Sequence, residues 1–330
     1  MISKSTTTAD RETARLLKGR TLATRALFVT GGAFAVACGG DSAPIGPTAG
    51  SPHFDGAAAM ELVEAQVAFG PRVPGTPGHQ RQLEWMLSSL ASSAPVVVAD
   101  TFDHVTTQGD SLVLVNVLAR FQPEVTRRLL LLAHWDTRPR SDQASDSSLH
   151  STPVPGANDG ASGTAVLMAL APLLAATPAP LGVDILLVDG EDYGPGVEDM
   201  LLGARRYAET VPDDDRPVYG LLLDMVGDAD PSFPVEGISA QFANVIVQKV
   251  WRAAERLGYR DYFPSTVGQN LTDDHVPLIE AGIPTANLID FTYGPGNAYW
   301  HTPDDVPANV SAATLGMVGR VVVELIYSGG

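Results

Sequence analysis

Three short, nearly unbroken apolar runs constrain this chain more than anything else in it. They lie at 128–133, 183–188 and 218–226, and they read RLLLLA, VDILLV and VYGLLLDMV. A strand with one wet face alternates polar and apolar residues; these do not alternate, so each must be buried on both faces. That pattern belongs to a parallel sheet covered by helices on each side. Helical stretches fall between the strands: 56–69, with Met60, Leu62, Val63 and Val67 on one side, then 80–92, the Gly/Ala-rich 159–175, 201–210, a long helix at 240–257, a short one at 275–281, and a closing helix at 312–326. Further strands are expected at 95–105, 111–121 and 284–289. Strands alternating with helices predict one α/β unit, a three-layer α/β/α sandwich around a mostly parallel, twisted sheet.

The start of the chain reads differently. A basic stretch ends at Arg25, an apolar run ALFVTGGAFAVA follows, then Cys38, the only cysteine, and then GGDSAPIGPTAGSP. With one cysteine, no intramolecular disulfide and no thiolate metal cluster can form. The order predicts a lipoprotein signal over 1–37, a diacylated Cys38 at the mature terminus, a flexible tether over 38–52 and a catalytic domain over 53–330. The expected place is outside the inner membrane, anchored by lipid; an ordinary secretory signal is the alternative. No other apolar run approaches the roughly 18 residues of a membrane span. The formal charge of −17 becomes −21 once residues 1–37 are removed, since they hold six basic side chains and two acidic ones. Such a surface repels nucleic acid and leaves negative charge to gather at a cation. A monomer is expected.

The polar residues that matter follow the apolar strands, where ligands bind in open α/β sheets. They are His134 and Asp136 in AHWDTRP, Asp159 in PGANDGASG, Glu191 and Asp192 in LLVDGEDYG, Asp224 in LLLDMVGD, Asp273, Asp274 and His275 in TDDHVP, and Trp300 and His301 in YWHTPDD. Singly, each is weak, because His-x-Asp is common surface polarity and Asn-Asp-Gly is ordinary turn chemistry. Asp224 is less easily dismissed, since a carboxylate in a buried strand is costly unless paired or bound to metal. Glu191 and Asp192, as neighbours at a strand end, are expected to point opposite ways, one to a cation and one to a substrate. Oxygen and imidazole ligands without thiolate suit catalytic Zn²⁺.

The series HWDTRP, GANDGASG, DGEDYG, LLDMVGD, DDHVPLIEAGIP and WHTPDD, spread from His134 to Asp305, resembles the zinc aminopeptidase superfamily that includes the animal-type glutaminyl cyclases. The resemblance implies zinc ligands Asp159, Asp192 and His301, with Glu191 as general acid/base. It implies one zinc for a cyclase. In a two-metal aminopeptidase, His134 and Asp224 would complete a second site with Asp159 bridging. Trp300 would wall the substrate pocket, Asp273 would hold the substrate amide, and Asp224 would sit in an acidic hydrogen-bond network. Three positions depart from the cyclase pattern: Val197 where a second pocket tryptophan is usual, Asn287 in place of a histidine, and Asp192 in place of the more usual glutamate. The implied activity is cyclisation of N-terminal glutamine in peptides. Hydrolysis of N-terminal residues by a metallo-aminopeptidase comes second, and a non-enzymatic zinc- or peptide-binding lipoprotein third.

Overall fold

The computed structural model describes residues 46–329. The expected signal, Cys38 and the first part of the tether therefore lie outside the described residues. Six strands form one sheet in the order β1-β2-β4-β3-β5-β6. These are β1 (Val96–Val105), β2 (Ser111–Phe121), β3 (Arg128–His134), β4 (Gly182–Val188), β5 (Tyr219–Asp224) and β6 (Thr285–Ile289). β3 lies parallel to β4 and β5, and β5 parallel to β6, while β1 and β2 pair antiparallel and extend the sheet beyond β4. The mixed sheet with helices on both faces is the α/β architecture the strand pattern required.

The central strands show why they contain no alternation. Leu129, Leu131 and Ala133 pack into the larger core, while Leu130 and Leu132 pack into a second core on the other face. The larger core lies under α1 (Gly56–Ala68), α2 (Pro77–Ala91), α3 (Ala161–Ala176), α6 (Asn244–Arg256) and α8 (Ala312–Tyr327); α4 (Leu202–Thr210) and α7 (His275–Glu280) cover the other. Gly163 on α3 allows that helix to lie directly against the Leu223 carbonyl of β5, where a Cβ would collide.

Three local expectations are corrected. The stretch at 240–257 is two helices, α5 (Gly237–Phe242) and α6, because Ala243 leaves helical geometry at φ −131°. Its carbonyl then accepts from Ile246 and Val247 and starts a fresh turn. The apolar period runs straight across the break, so the pattern imitates one helix. α2 begins at Pro77, not near residue 80, because the Thr76 side chain caps it and proline fits the first turn. The tether is seated on the domain from Gly46 onward. Gly46 N–H donates to the Arg256 carbonyl, and Thr48 donates from its backbone (2.8 Å) and hydroxyl (2.7 Å) to the buried Glu324 carboxylate on α8. Among the described residues, no helix is long and apolar enough to cross a membrane.

Candidate active site

The strand ends bring the motif residues together. His134 ends β3 and Asp224 ends β5; Asp159 lies two residues before α3, and Asp273 two before α7. Asp159, Glu191, Asp192, Asp224, Asp273, Trp300 and His301 line one cavity of about 210 Å³, with Met200, Met225, Leu271, Ile289 and Phe291 as its apolar surface. His134 lies just behind, fully buried. Glu191 and Asp192 do not point opposite ways. They fall beyond the last residue of β4, in a turn where strand alternation no longer applies, and both face the cavity. Asp136 holds that turn by accepting the Glu191 and Asp192 N–H groups at 3.1 and 3.2 Å.

Two overlapping triads stand at the centre: Asp159, Asp192 and His301, and His134, Asp159 and Asp224. His301 Nε2 is 3.4 Å from Asp159 Oδ2 and 3.3 Å from Asp192 Oδ2. A tetrahedral zinc with bonds of about 2.0–2.1 Å needs ligand atoms about 3.3 Å apart. Both His301–carboxylate separations match that spacing, and the three ligand atoms lie within 4.8 Å of one another. Asp159 turns its other oxygen to His134 Nε2, at 3.1 Å, and Asp224 Oδ1 lies 3.2 Å from the same nitrogen. Gly160 is required here, since a Cβ would come within 2.5 Å of the His134 ring.

An outer ring fixes these groups, and most of it escaped the sequence. Arg138 donates to Asp192 Oδ1 at 2.7 Å, leaving Oδ2 toward His301, and also donates twice to Asp142. Asp142 Oδ1 in turn lies 3.6 Å from His301 Nδ1, the carboxylate–imidazole pairing that orients metal-binding histidines. Arg138 thus holds the short arm of Asp192 in place. Asp305 accepts the N–H groups of Asn158 and Asp159, and it fixes the loop that presents Asp159. Arg138 stood inside a quoted motif and Asp142 shortly after it, but nothing in spacing pairs them with residues 192 and 301.

Crowded acids shift one another's protonation. Burial, with Asp192, Asp273 and Asp274 adding to it and His134 opposing, holds the Glu191 carboxyl well above the ordinary glutamate range. Burial and Asp273 push Asp224 up to about 7. Burial opposes a charge on His301, but Asp192, Asp142 and Asp159 outweigh it and push the imidazole up to about 11. His301 and Met225 have φ values of 53° and 49°, left-handed conformations that non-glycine residues adopt at a cost.

Trp300 stacks on the His301 ring, centroids 4.0 Å apart, and meets Phe291 edge-on at 5.0 Å. Val197, the position where a second aromatic was expected, is 45% exposed and does not line the cavity; Met200, three residues on, does. Asn287 donates to Asp273 Oδ2 at 2.6 Å, and the Asp274 N–H donates to Oδ1 at 2.6 Å.

Carboxylates and imidazoles converging on a metal-sized gap at the carboxyl ends of this sheet define a metal-dependent α/β enzyme. Residues 116–326 match Peptidase family M28, and the chain belongs to that family. It is 27% identical over 282 residues to a glutaminyl-peptide cyclotransferase of Drosophila melanogaster, covering 76% of this chain and 75% of that one. A solved glutaminyl cyclase of Bacteroides thetaiotaomicron superposes with a TM-score of 0.82 at 35% identity, over 85% of this chain and all of that one. A leucine aminopeptidase precursor from the same species superposes equally, with a TM-score of 0.82 at 36% identity, over 85% of this chain and 99% of that one. The resemblance read from the motifs therefore holds in both its fold and its family.

Proposed function

We propose that this chain is a zinc-dependent glutaminyl-peptide cyclotransferase, converting an N-terminal glutamine to pyroglutamate with release of ammonia. The observation that carries the reading is the position of Trp300. The indole, met edge-on by Phe291, forms an apolar wall beside the metal ligands, in a cavity of about 210 Å³ with Glu191 and Asp273 also on its surface. A short side chain folding back on its own amine fits such a space. A peptidase must instead seat a backbone amide there and leave room beyond it.

Asp159, Asp192 and His301 would hold one zinc ion. When bound, zinc supplies Lewis-acid polarisation of the side-chain carbonyl. Glu191, with its raised proton affinity, takes a proton from the attacking α-amine and returns it to the departing amide nitrogen, so that ammonia leaves. Asp273 is held from behind by Asn287 and the Asp274 N–H, and its free lone pairs accept from the substrate's side-chain NH₂. The wall keeps the chain coiled for attack, which is the larger part of an intramolecular reaction. His134 Nε2 lies between Asp159 and Asp224, and these three residues would complete a second metal site in the aminopeptidase reading.

The second reading, an aminopeptidase in which Glu191 activates water, is favoured by the similarity to the leucine aminopeptidase precursor. One experiment separates them. Purified protein is incubated with a Gln-initiated and a Leu-initiated peptide, and the masses are read. Loss of ammonia from the first, with the second uncut, is expected; release of free glutamine or leucine without pyroglutamyl product gives the place to the peptidase. The peptide N-terminus as substrate, a monomeric state, and a lipid anchor on Cys38 outside the inner membrane complete the proposal.

A further inference from the structure

Of the residues lining the cavity, Asn270 and Thr272 alone are exposed; the rest are buried or half-buried. The mouth therefore opens beside the stretch 265–270, all of whose residues are exposed. This stretch is tied down along one side. Val235 donates its N–H to the Thr266 carbonyl at 2.9 Å and accepts from the Gly268 N–H at 2.8 Å, and Gly237 donates to the Gln269 carbonyl at 2.8 Å. The first two bonds make a parallel bridge between Val235 and Val267. In such a bridge the Val267 N–H and C=O point to the opposite side. No described residue bonds to either group, and the Val267 side chain is 62% exposed. An extended edge with unmet main-chain groups is a template for another extended chain.

We propose that a peptide substrate, with its first residue in the cavity, lays the residues that follow along 266–270 as an added strand. The strip runs directly into Asn270, Leu271, Thr272 and Asp273, all of which line the cavity. At about 3.3 Å per residue, Val267 lies roughly 10 Å from Asn270 along the strip. The N–H and C=O of Val267 therefore pair with the main chain of the third or fourth substrate residue. The contacts are to backbone, so the enzyme reads extension and length and tolerates varied side chains. Termini that are folded, or that lack the backbone N–H, bind poorly.

The inference rests on peptide N-termini being the substrate, and its test separates the two. Steady-state constants are measured for a Gln-initiated dipeptide amide, a Gln-initiated pentapeptide amide, and pentapeptides N-methylated at the third or at the fourth residue. The pentapeptide is expected to have the lower KM. Methylation at one of the two positions should raise that KM about five- to tenfold with kcat unchanged, the effect of losing one or two modest hydrogen bonds. Val267→Pro, which removes the outward N–H and keeps the C=O, should raise the KM of the unmethylated pentapeptide several-fold and leave that of the dipeptide unchanged. Equal KM values for dipeptide and pentapeptide, or indifference to methylation at both positions in the unaltered enzyme, overturn the proposal. If no glutamine peptide gives pyroglutamyl product, the cyclase reading fails instead. The strip is then decided by calorimetric binding of the same pentapeptides, and equal affinity of methylated and unmethylated forms overturns it.

Discussion

Glu191→Gln tests the assigned chemistry with little disturbance to the fold. The two side chains have nearly the same shape, and Glu191 is 8% exposed, so no cavity opens. The folded protein already disfavours the Glu191 charge, first through burial and then through Asp192, Asp273 and Asp274. A group whose proton affinity is raised by folding contributes stability at low pH that is lost as pH rises through its folded value. In the metal-free protein at neutral pH the charged carboxylate is therefore a burden, and a neutral amide removes it. The melting temperature of the metal-free variant should stay level or rise. Asp159, Asp192 and His301 are untouched, so zinc content should remain one ion per chain. Turnover should collapse, because an amide cannot take the proton from the attacking amine. General acid–base catalysis supplies about a hundred- to ten-thousand-fold, or about 2.7–5.4 kcal/mol of barrier. The assay is ammonia release from a Gln-initiated peptide at saturation, read beside metal analysis and a thermal melt. A loss below about tenfold, or a loss that tracks missing zinc, refutes the role.

Trp300→Ala should raise KM and lower cyclisation while zinc content stays constant, since the indole forms the wall and ligates nothing; metal loss in this variant would count against that division. Zinc binding at neutral pH should expel about one proton, because the metal-free His301 is held protonated by Asp192, Asp142 and Asp159 against burial. Calorimetry in buffers of different ionisation enthalpy checks this, and a flat response refutes it. Glu236 has its carboxyl lowered to about 2: burial opposes, but His275 and the N–H groups of Ile238, Leu271 and Ser239 prevail. Its contribution, about 3 kcal/mol at about 1.4 per unit, is present above the ordinary glutamate value and lost as pH falls through about 2. Glu236→Gln should therefore flatten the acid side of the stability curve, as read by denaturant midpoints. Cys38→Ser should release the protein from the membrane fraction of a lipoprotein-processing host; identical fractionation would exclude the anchor.

The sheet and the inner site were legible because each depends on local pattern. Doubly buried strands must be apolar throughout, and the ligands stand where those strands end. What was illegible depends on partners distant in sequence. Nothing near Arg138 indicates that it spans Asp192 and Asp142, or that Asp142 then reaches His301. The strand rule misled at Glu191 and Asp192, because β4 stops at Val188 and a turn aims both side chains into one space. The break at Ala243 was hidden by an apolar period that continues across it. Aligning by position put Val197 in the wall, whereas the short helical turn Val197–Asp199 moves it outward and Met200 takes its place.

The seating of Thr48 on Glu324 sets where the incoming chain meets the domain. α8 begins beside Gly227 and Asp228, just past the strand end that carries Asp224, since Ser311 N–H donates to the Gly227 carbonyl and the Thr314 hydroxyl to that of Asp228. Twelve residues later, about 18 Å along the helix axis, comes Glu324, where the incoming chain is clasped. The incoming chain is thus clasped at the far end of α8 from the helix start that adjoins the β5 end.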